Sequence, residues 1–204
     1  MKWKQFYLKL VYLIGKMKEI YNFDFVSGNP EIYYTILTNN RIDRQFYLAS
    51  KNNLKDLVYF LAKREVNDWK YSIYLEWGIF GAAIGNHEEL VNWYLKSLNN
   101  DYLETALSGA AKGGHNLLVK KLIEKGAIDF DHALYNSGLK GHRDTIELIL
   151  KYGGDINQAL IGAADSKLPK KFIDFLIMRG ANIEDGILLA ENDQETIDYL
   201  RNFL

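Results

Sequence analysis

The sequence repeats itself at intervals of about 27 residues, and this period constrains the fold more than any other feature. Two Gly-His pairs mark the repeat, at Gly114-His115 and Gly141-His142, and Asn86-His87 occupies the same place one period earlier. Each pair lies between an apolar segment centred on small residues and a second one rich in branched side chains, which is typical of two helices joined by a tight turn. One such hairpin cannot bury its own apolar face, so neighbouring units must stack into a solenoid.

We divide the chain into an N-terminal helical cap, residues 1–45, and six repeat units. The central units share an Ala-Leu start, small residues in the first helix and a glycine after the second helix. A residue in the left-handed conformation often ends a helix at that place, and glycine adopts this conformation without steric cost. The glycines at these positions are Gly126, Gly153 and Gly180. The predicted fold is all-α, one continuous α-solenoid of helix-turn-helix units. The six predicted units cover residues 46–66, 79–98, 105–128, 133–156, 159–183 and 187–204.

The composition excludes several classes of function. Of 204 residues, 25 are Lys or Arg and 26 are Asp or Glu, so the net charge of −1 lacks the basic field that supplies most nucleic-acid affinity. The absence of cysteine excludes disulfides, thiolate metal ligands and a cysteine nucleophile. We therefore expect a cytoplasmic protein that binds no nucleic acid.

The first 21 residues predict a basic amphipathic helix. Apolar residues from Trp3 to Met17 recur at three- and four-residue spacing, and lysines lie mostly off this stripe. Lys9 interrupts the apolar run and no small-residue cleavage site follows, so we do not expect a signal peptide. No apolar run in the sequence is long enough for a membrane-spanning helix. Two interpretations stay open: the helix covers the first layer of the solenoid, or it docks on an anionic membrane or another subunit.

At the repeated segments the chain resembles the ankyrin repeat family. The resemblance rests on the small-residue first helix, the Gly-His pair, the spacing of branched residues in the second helix, and unit endings such as Gly126-Ala127 and Gly180-Ala181. The chain departs from the family because no unit contains Thr-Pro-Leu-His and because the connections are short, as at residues 128–132, so a trimmed hairpin is expected. Short-looped copies look like those of large DNA viruses and intracellular bacteria. The excess of Lys over Arg and the abundance of Asn agree with AT-rich codons.

Standard catalytic motifs are absent from the sequence. Histidines one period apart would lie about 10 Å apart in a solenoid, too far to share one metal ion. The resemblance implies that they support the turn between the helices by hydrogen bonding. His132, beside Asp129 and Asp131, could bind a cation weakly or titrate near neutral pH, and a solvated loop is the alternative interpretation. We expect no enzymatic activity, no cofactor and no metal site.

The resemblance implies that the chain binds a protein partner through a concave face, formed by the first helices and the loops between units. Phe130 and Tyr135 are the predicted anchors, because aromatic residues dominate interface hot spots, and core packing is the alternative for either residue. The predicted protein-binding residues are Ser108, Lys112, Phe130, Asp131, His132, Tyr135, Lys140, Asn157, Gln158 and Asp165.

A structural or assembly role is the alternative hypothesis. Residues 1–20 carry five lysines and one glutamate, whereas residues 184–204 carry six acids and one arginine, so the ends could associate head to tail. Sedimentation at low and at high salt distinguishes the hypotheses, because electrostatic self-association weakens as salt rises. We expect a monomer or a weak homo-oligomer, and no membrane insertion.

Overall fold

The computed structural model describes residues 30–65, 71–98, 100, 102–189 and 194–203. These residues form thirteen helices and no strand, which confirms the predicted all-α class. The predicted amphipathic helix of residues 1–21 lies outside the described residues. The helices are α1 (Pro30–Leu37), α2 (Ile42–Lys51), α3 (Lys55–Glu65), α4 (Tyr71–Ile84), α5 (Glu88–Ser97), α6 (Leu103–Gly113), α7 (Asn116–Glu124), α8 (Asp131–Lys140), α9 (Arg143–Leu150), α10 (Ile156–Asp165), α11 (Lys170–Met178), α12 (Ile183–Leu189) and α13 (Gln194–Arg201).

Helices α2 to α13 form six antiparallel pairs in two layers. The even-numbered helices pack on one another in chain order and form the inner layer, and the odd-numbered helices from α3 onward form the outer layer. Helix α1 packs against α2 at the N-terminal end of the stack. One hydrophobic cluster runs through these layers from Tyr33 in α1 to Leu200 in α13. The stack is therefore the predicted α-solenoid.

Small residues let the inner helices approach until their backbones touch. A Cβ atom added to Gly109 would lie 2.6 Å from the carbonyl oxygen of Phe80 in α4, and one added to Gly162 would overlap the carbonyl oxygen of Tyr135 in α8. The outer helices instead bury branched side chains such as Val119 and Ile146. The outer helices pack less closely on one another than the inner helices do. We expect this difference to curve the stack toward its inner layer, which we call the concave side.

The turn inside each of the first five pairs contains a residue with positive φ. In the two Gly-His copies this residue is Gly114 or Gly141, with φ of 73° and 71°. Asn53, Asn86 and Lys167 take the same place in the other copies. Glycine adopts this conformation without steric cost and asparagine tolerates it, so the turn geometry explains why glycine precedes the histidine.

The predicted glycine stops are confirmed. Gly126, Gly153 and Gly180 follow the outer helices of the central pairs with φ of 111°, 94° and 93°. The next six residues after α7, 125–130, contain no strand, in agreement with a trimmed connection between units.

All six inner helices begin ahead of the predicted unit starts, and the difference is largest for α4. Helix α2 begins at Ile42 rather than at Phe46, and α4 begins at Tyr71 rather than at Ile79. Leu75 is buried, so the apolar stripe of α4 continues into its first turns. The predicted starts were anchored on the small residues in the middle of each helix, and small residues do not show how far a helix extends toward its N-terminus.

Candidate protein-binding surface

The repeated histidines connect each unit to the unit before it. Every Nε2 atom lies within hydrogen-bond distance of a backbone carbonyl oxygen in the last turn of the preceding inner helix. The predicted hydrogen-bonding role is confirmed, but the acceptor belongs to the neighbouring unit rather than to the histidine's own turn. The distances are 2.9 Å from His87 to Lys51, 2.7 Å from His115 to Ile84, and 3.1 Å from His142 to Lys112.

The described residues hold no cluster of His, Asp and Glu side chains that could bind a metal ion. His132 and Asp131 are exposed in the first turn of α8, and the backbone N–H of Asp131 donates to Asp129 Oδ1 at 3.1 Å. The side chains of Asp131 and His132 are therefore solvated, which matches the alternative interpretation of His132.

Ser108, Phe130 and Asn157, all predicted contact residues, take part in contacts within the fold. Ser108 is only 6% exposed, and its Oγ accepts a hydrogen bond from Asn136 Nδ2 at 2.8 Å. Phe130 is half-buried and packs against the hydrophobic core, the alternative named for it from the sequence. Asn157 Oδ1 accepts a hydrogen bond from the backbone N–H of Asn182 at 2.7 Å. Their roles in the fold limit the surface that they can offer to a partner.

Tyr135 and Asp165 are brought together across two inner helices. The Tyr135 hydroxyl donates to Asp165 Oδ2 at 2.8 Å, and this hydrogen bond, with partial burial, raises the pKa of the Tyr135 phenol. Tyr135 is half-buried and Asp165 is exposed, so part of the pair faces solvent. Gln158, at the start of the same helix as Asp165, is half-buried.

Lys112 and Lys140 belong to a group of three lysines at the C-terminal ends of inner helices. Burial, followed by the charges of Lys140 and Lys51, lowers the pKa of the Lys112 ammonium. No ion pair links these lysines to a carboxylate of the described residues. The Lys112 Nζ atom lies 5.5 Å from the centre of the Phe80 ring, close enough for a cation–π contact. One edge of the concave side is therefore positive.

A groove of about 410 Å³ opens between the middle of α4 and the N-terminal halves of α6 and α8. We call it the aromatic groove because Trp77 and Phe80 form one wall, with ring centres 6.2 Å apart and planes at 88°. Trp77 is 43% exposed. Ser108 and His132, both predicted from the sequence, contribute to the lining. The lining residues are Glu76, Trp77, Phe80, Glu104, Thr105, Ser108, Asp129, His132 and Asn136.

The sequence contains a signal that identifies part of this wall. Phe80 stands seven positions before His87, as Ser108 and Tyr135 stand before the histidines of their own units. Trp77 lies one helical turn further upstream, outside the predicted unit, which began at Ile79. Extending the repeat alignment by one turn toward the N-terminus adds Trp77 to the concave side.

The structure is that of a helical repeat protein. Its helix pairs are stacked, a left-handed residue lies in the turn of a pair, the inner helices carry small residues, and a histidine bonds to the preceding unit. Residues 79–159 match the family model for ankyrin repeats (3 copies). Residues 79–159 therefore contain ankyrin repeats, in agreement with the resemblance found in the sequence. No curated protein sequence matches the chain.

Ankyrin repeats generally mediate protein–protein interaction, and the family is typically a non-enzymatic scaffold. Within the described residues, every helix is too short or too polar to cross a bilayer.

Proposed function

We propose that the chain is a non-enzymatic scaffold that binds a protein partner through the concave side of its inner helices and the adjoining loops. The observation that carries this proposal is a row of aromatic side chains that the stack does not fully bury. Tyr47, Trp77 and Tyr135 lie on the inner helices α2, α4 and α8 and keep part of their surface exposed. Such side chains supply much of the energy of protein interfaces, because they combine a large apolar area with a polar tip.

We infer that the six helix pairs, which begin at Ile42, act as one continuous solenoid, with the preceding residues of the predicted segment 1–45 as its cap. The hydrophobic cluster that joins Tyr33 to Leu200 supports this division, since a break between domains would interrupt it. Continuity matters for binding because a partner that lies along the concave side can contact several units at once.

The test compares two double variants that remove the same side chains from opposite sides of the stack. Tyr135→Ala/Lys140→Ala changes the concave side, and Tyr59→Ala/Lys63→Ala changes the outer helix α3, where Tyr59 and Lys63 are exposed. We expect the concave variant to weaken binding by at least about 2 kcal/mol, roughly thirtyfold, because an interface anchor is lost. The outer variant should bind like the wild type.

The measurement has two stages. Partners are first captured on the immobilised wild-type chain and identified by mass spectrometry, and the affinity of the recovered partner is then measured for each variant by calorimetry. Circular dichroism verifies that both variants remain helical. Equal affinities for the wild type and the concave variant, or an equal loss in the outer variant, would contradict the concave-side proposal.

We further propose that the partner is a host protein met in the host cytoplasm, and that the chain comes from a large DNA virus or an intracellular pathogen. The short connections between units and the AT-rich residue bias support this proposal. If this proposal is correct, the specific partner is captured from a eukaryotic lysate.

The assembly alternative depends on residues 1–21, outside the described residues, and on the opposite charges of the ends, so we propose at most weak self-association. We propose no nucleic-acid partner and no membrane insertion.

A further inference from the structure

The aromatic groove carries negative charge that the described residues do not neutralise. Glu76 and Glu104 line it, and neither forms an ion pair or a side-chain hydrogen bond with another described residue. Asp129 also lines it and accepts one hydrogen bond, from the backbone N–H of Asp131. Three carboxylates around one concave space create a field that favours a cation.

A buried amide adds an unused acceptor to the groove. Asn136 is 9% exposed, and its Nδ2 donates to the carbonyl oxygen of His132 at 3.0 Å and to Ser108 Oγ at 2.8 Å. The carbonyl can only accept, so it fixes which end of the amide carries the N–H groups. The Oδ1 atom has no donor among the described residues. Since none of their buried side-chain polar atoms lacks a partner, this oxygen is accessible. A ligand that brings N–H groups into the groove would satisfy it.

The wall of the groove suits a cation as well. The Phe80 ring already has the Lys112 ammonium 5.5 Å from its centre, and the neighbouring Trp77 ring is the more exposed of the two. Lys112 is not among the residues that line the groove. Cations are attracted to the faces of aromatic rings, and tryptophan gives the strongest contact.

We propose that the aromatic groove binds an arginine side chain from a basic segment of the protein partner. This inference rests on the proposed function, because it names the chemistry that the concave side recognises. A guanidinium is planar, stacks on aromatic rings, pairs with carboxylates through two hydrogen bonds, and has further N–H groups for Asn136 Oδ1. An acidic segment would be repelled, and a neutral one would desolvate the carboxylates without pairing them. A volume of about 410 Å³ is within the range of ligand pockets.

The experiment titrates the full-length ¹⁵N-labelled chain with three peptides that differ only at two positions. The probe is acetyl-Gly-Arg-Gly-Arg-Gly-amide, and the matched peptides carry lysine or citrulline in place of arginine. We expect the arginine peptide to shift the indole N–H signal of Trp77 saturably, with an affinity at least about tenfold higher than that of the citrulline peptide. Arginine should also bind more tightly than lysine, because the ammonium is more strongly hydrated and stacks less well.

Two charge-matched variants locate the binding. Glu76→Gln/Glu104→Gln should weaken the arginine peptide at least about fivefold, since each substitution keeps the shape of the side chain and removes its charge. Glu124→Gln/Asp144→Asn removes the same charge from the outer helices and should leave the affinity unchanged. Melting temperatures establish that both variants are folded.

Several results overturn the proposal: no saturable shift with the arginine peptide, equal affinity for the citrulline or lysine peptide, or no effect of Glu76→Gln/Glu104→Gln. These failures are distinct from failure of the proposed function. If Tyr135→Ala/Lys140→Ala abolishes partner capture while the arginine peptide does not bind, the scaffold proposal stands and the arginine groove is wrong. If the peptide binds and capture is unchanged, the groove stands as an arginine site, and the proposal that Tyr135 and Lys140 contact the partner is wrong.

Discussion

Replacing Gly162 by alanine is expected to lower the free energy of unfolding by about 2–3 kcal/mol, although the same change in an ordinary helix interior raises it by about 0.5–1 kcal/mol. The added Cβ would overlap the carbonyl oxygen of Tyr135 and lie 2.9 Å from the backbone nitrogen of Leu139. Both are main-chain atoms of α8, which cannot rotate away as a side chain can. Helices α8 and α10 must therefore separate, and the contacts along their whole interface weaken.

Urea denaturation followed by circular dichroism measures this loss, and Gly153→Ala is its control. A Cβ at Gly153 meets no atom within 4 Å, so only its φ of 94° opposes alanine there, at a cost of about 1–2 kcal/mol. If Gly162→Ala proves no more destabilising than Gly153→Ala, the close approach of the inner helices is wrong.

Phe46→Ala is expected to lower the free energy of unfolding by about 3–5 kcal/mol. The variant should still unfold in a single transition of the whole chain. Phe46 is 0% exposed, and its ring stacks on Tyr74 with 6.3 Å between the ring centres. This residue belongs to the first helix pair, outside the segment 79–159 that matches the family model. The variant therefore tests whether this pair folds together with the matched repeats as well as how much its core contributes.

Urea unfolding is recorded for Phe46→Ala by circular dichroism and by tryptophan fluorescence. Coincident curves from the two probes support one continuous solenoid. Two separate transitions would show that the first pair is an independent unit and would overturn the proposed domain division. Leu117→Ala removes a side chain that is 69% exposed and should change the stability by less than about 0.5 kcal/mol.

The repeat architecture could be predicted from the sequence because every unit meets the same packing requirement. Glycine at positions such as Gly126 and Gly153 indicates a left-handed backbone conformation, and small residues in the inner helices indicate that neighbouring helices approach closely. Both features can be recognised from a short segment of sequence. The residue at which α4 begins could not be predicted in this way. Its first turns lack the small residues that define the pattern, although Leu75 is buried there.

The binding surface was less predictable, because exposure depends on residues from other units. Ser108 is covered through its hydrogen bond with Asn136, which lies 28 positions later in the chain. Phe130 precedes α8 and packs against the core, a contact that sequence spacing does not reveal. The aromatic groove combines side chains from three inner helices and from the connection before α8, so no single segment of sequence predicts it.

The histidine bonds also give the solenoid unequal interfaces. They join the second unit to the first, the third to the second and the fourth to the third, whereas Leu168 occupies the histidine position in the fifth unit. Stability in a stack of repeats is a sum of nearest-neighbour interface energies, so the last two units depend on packing and on other contacts. Fraying should therefore begin at the C-terminal end, where a partner could adjust the curvature of the stack at the lowest energetic cost.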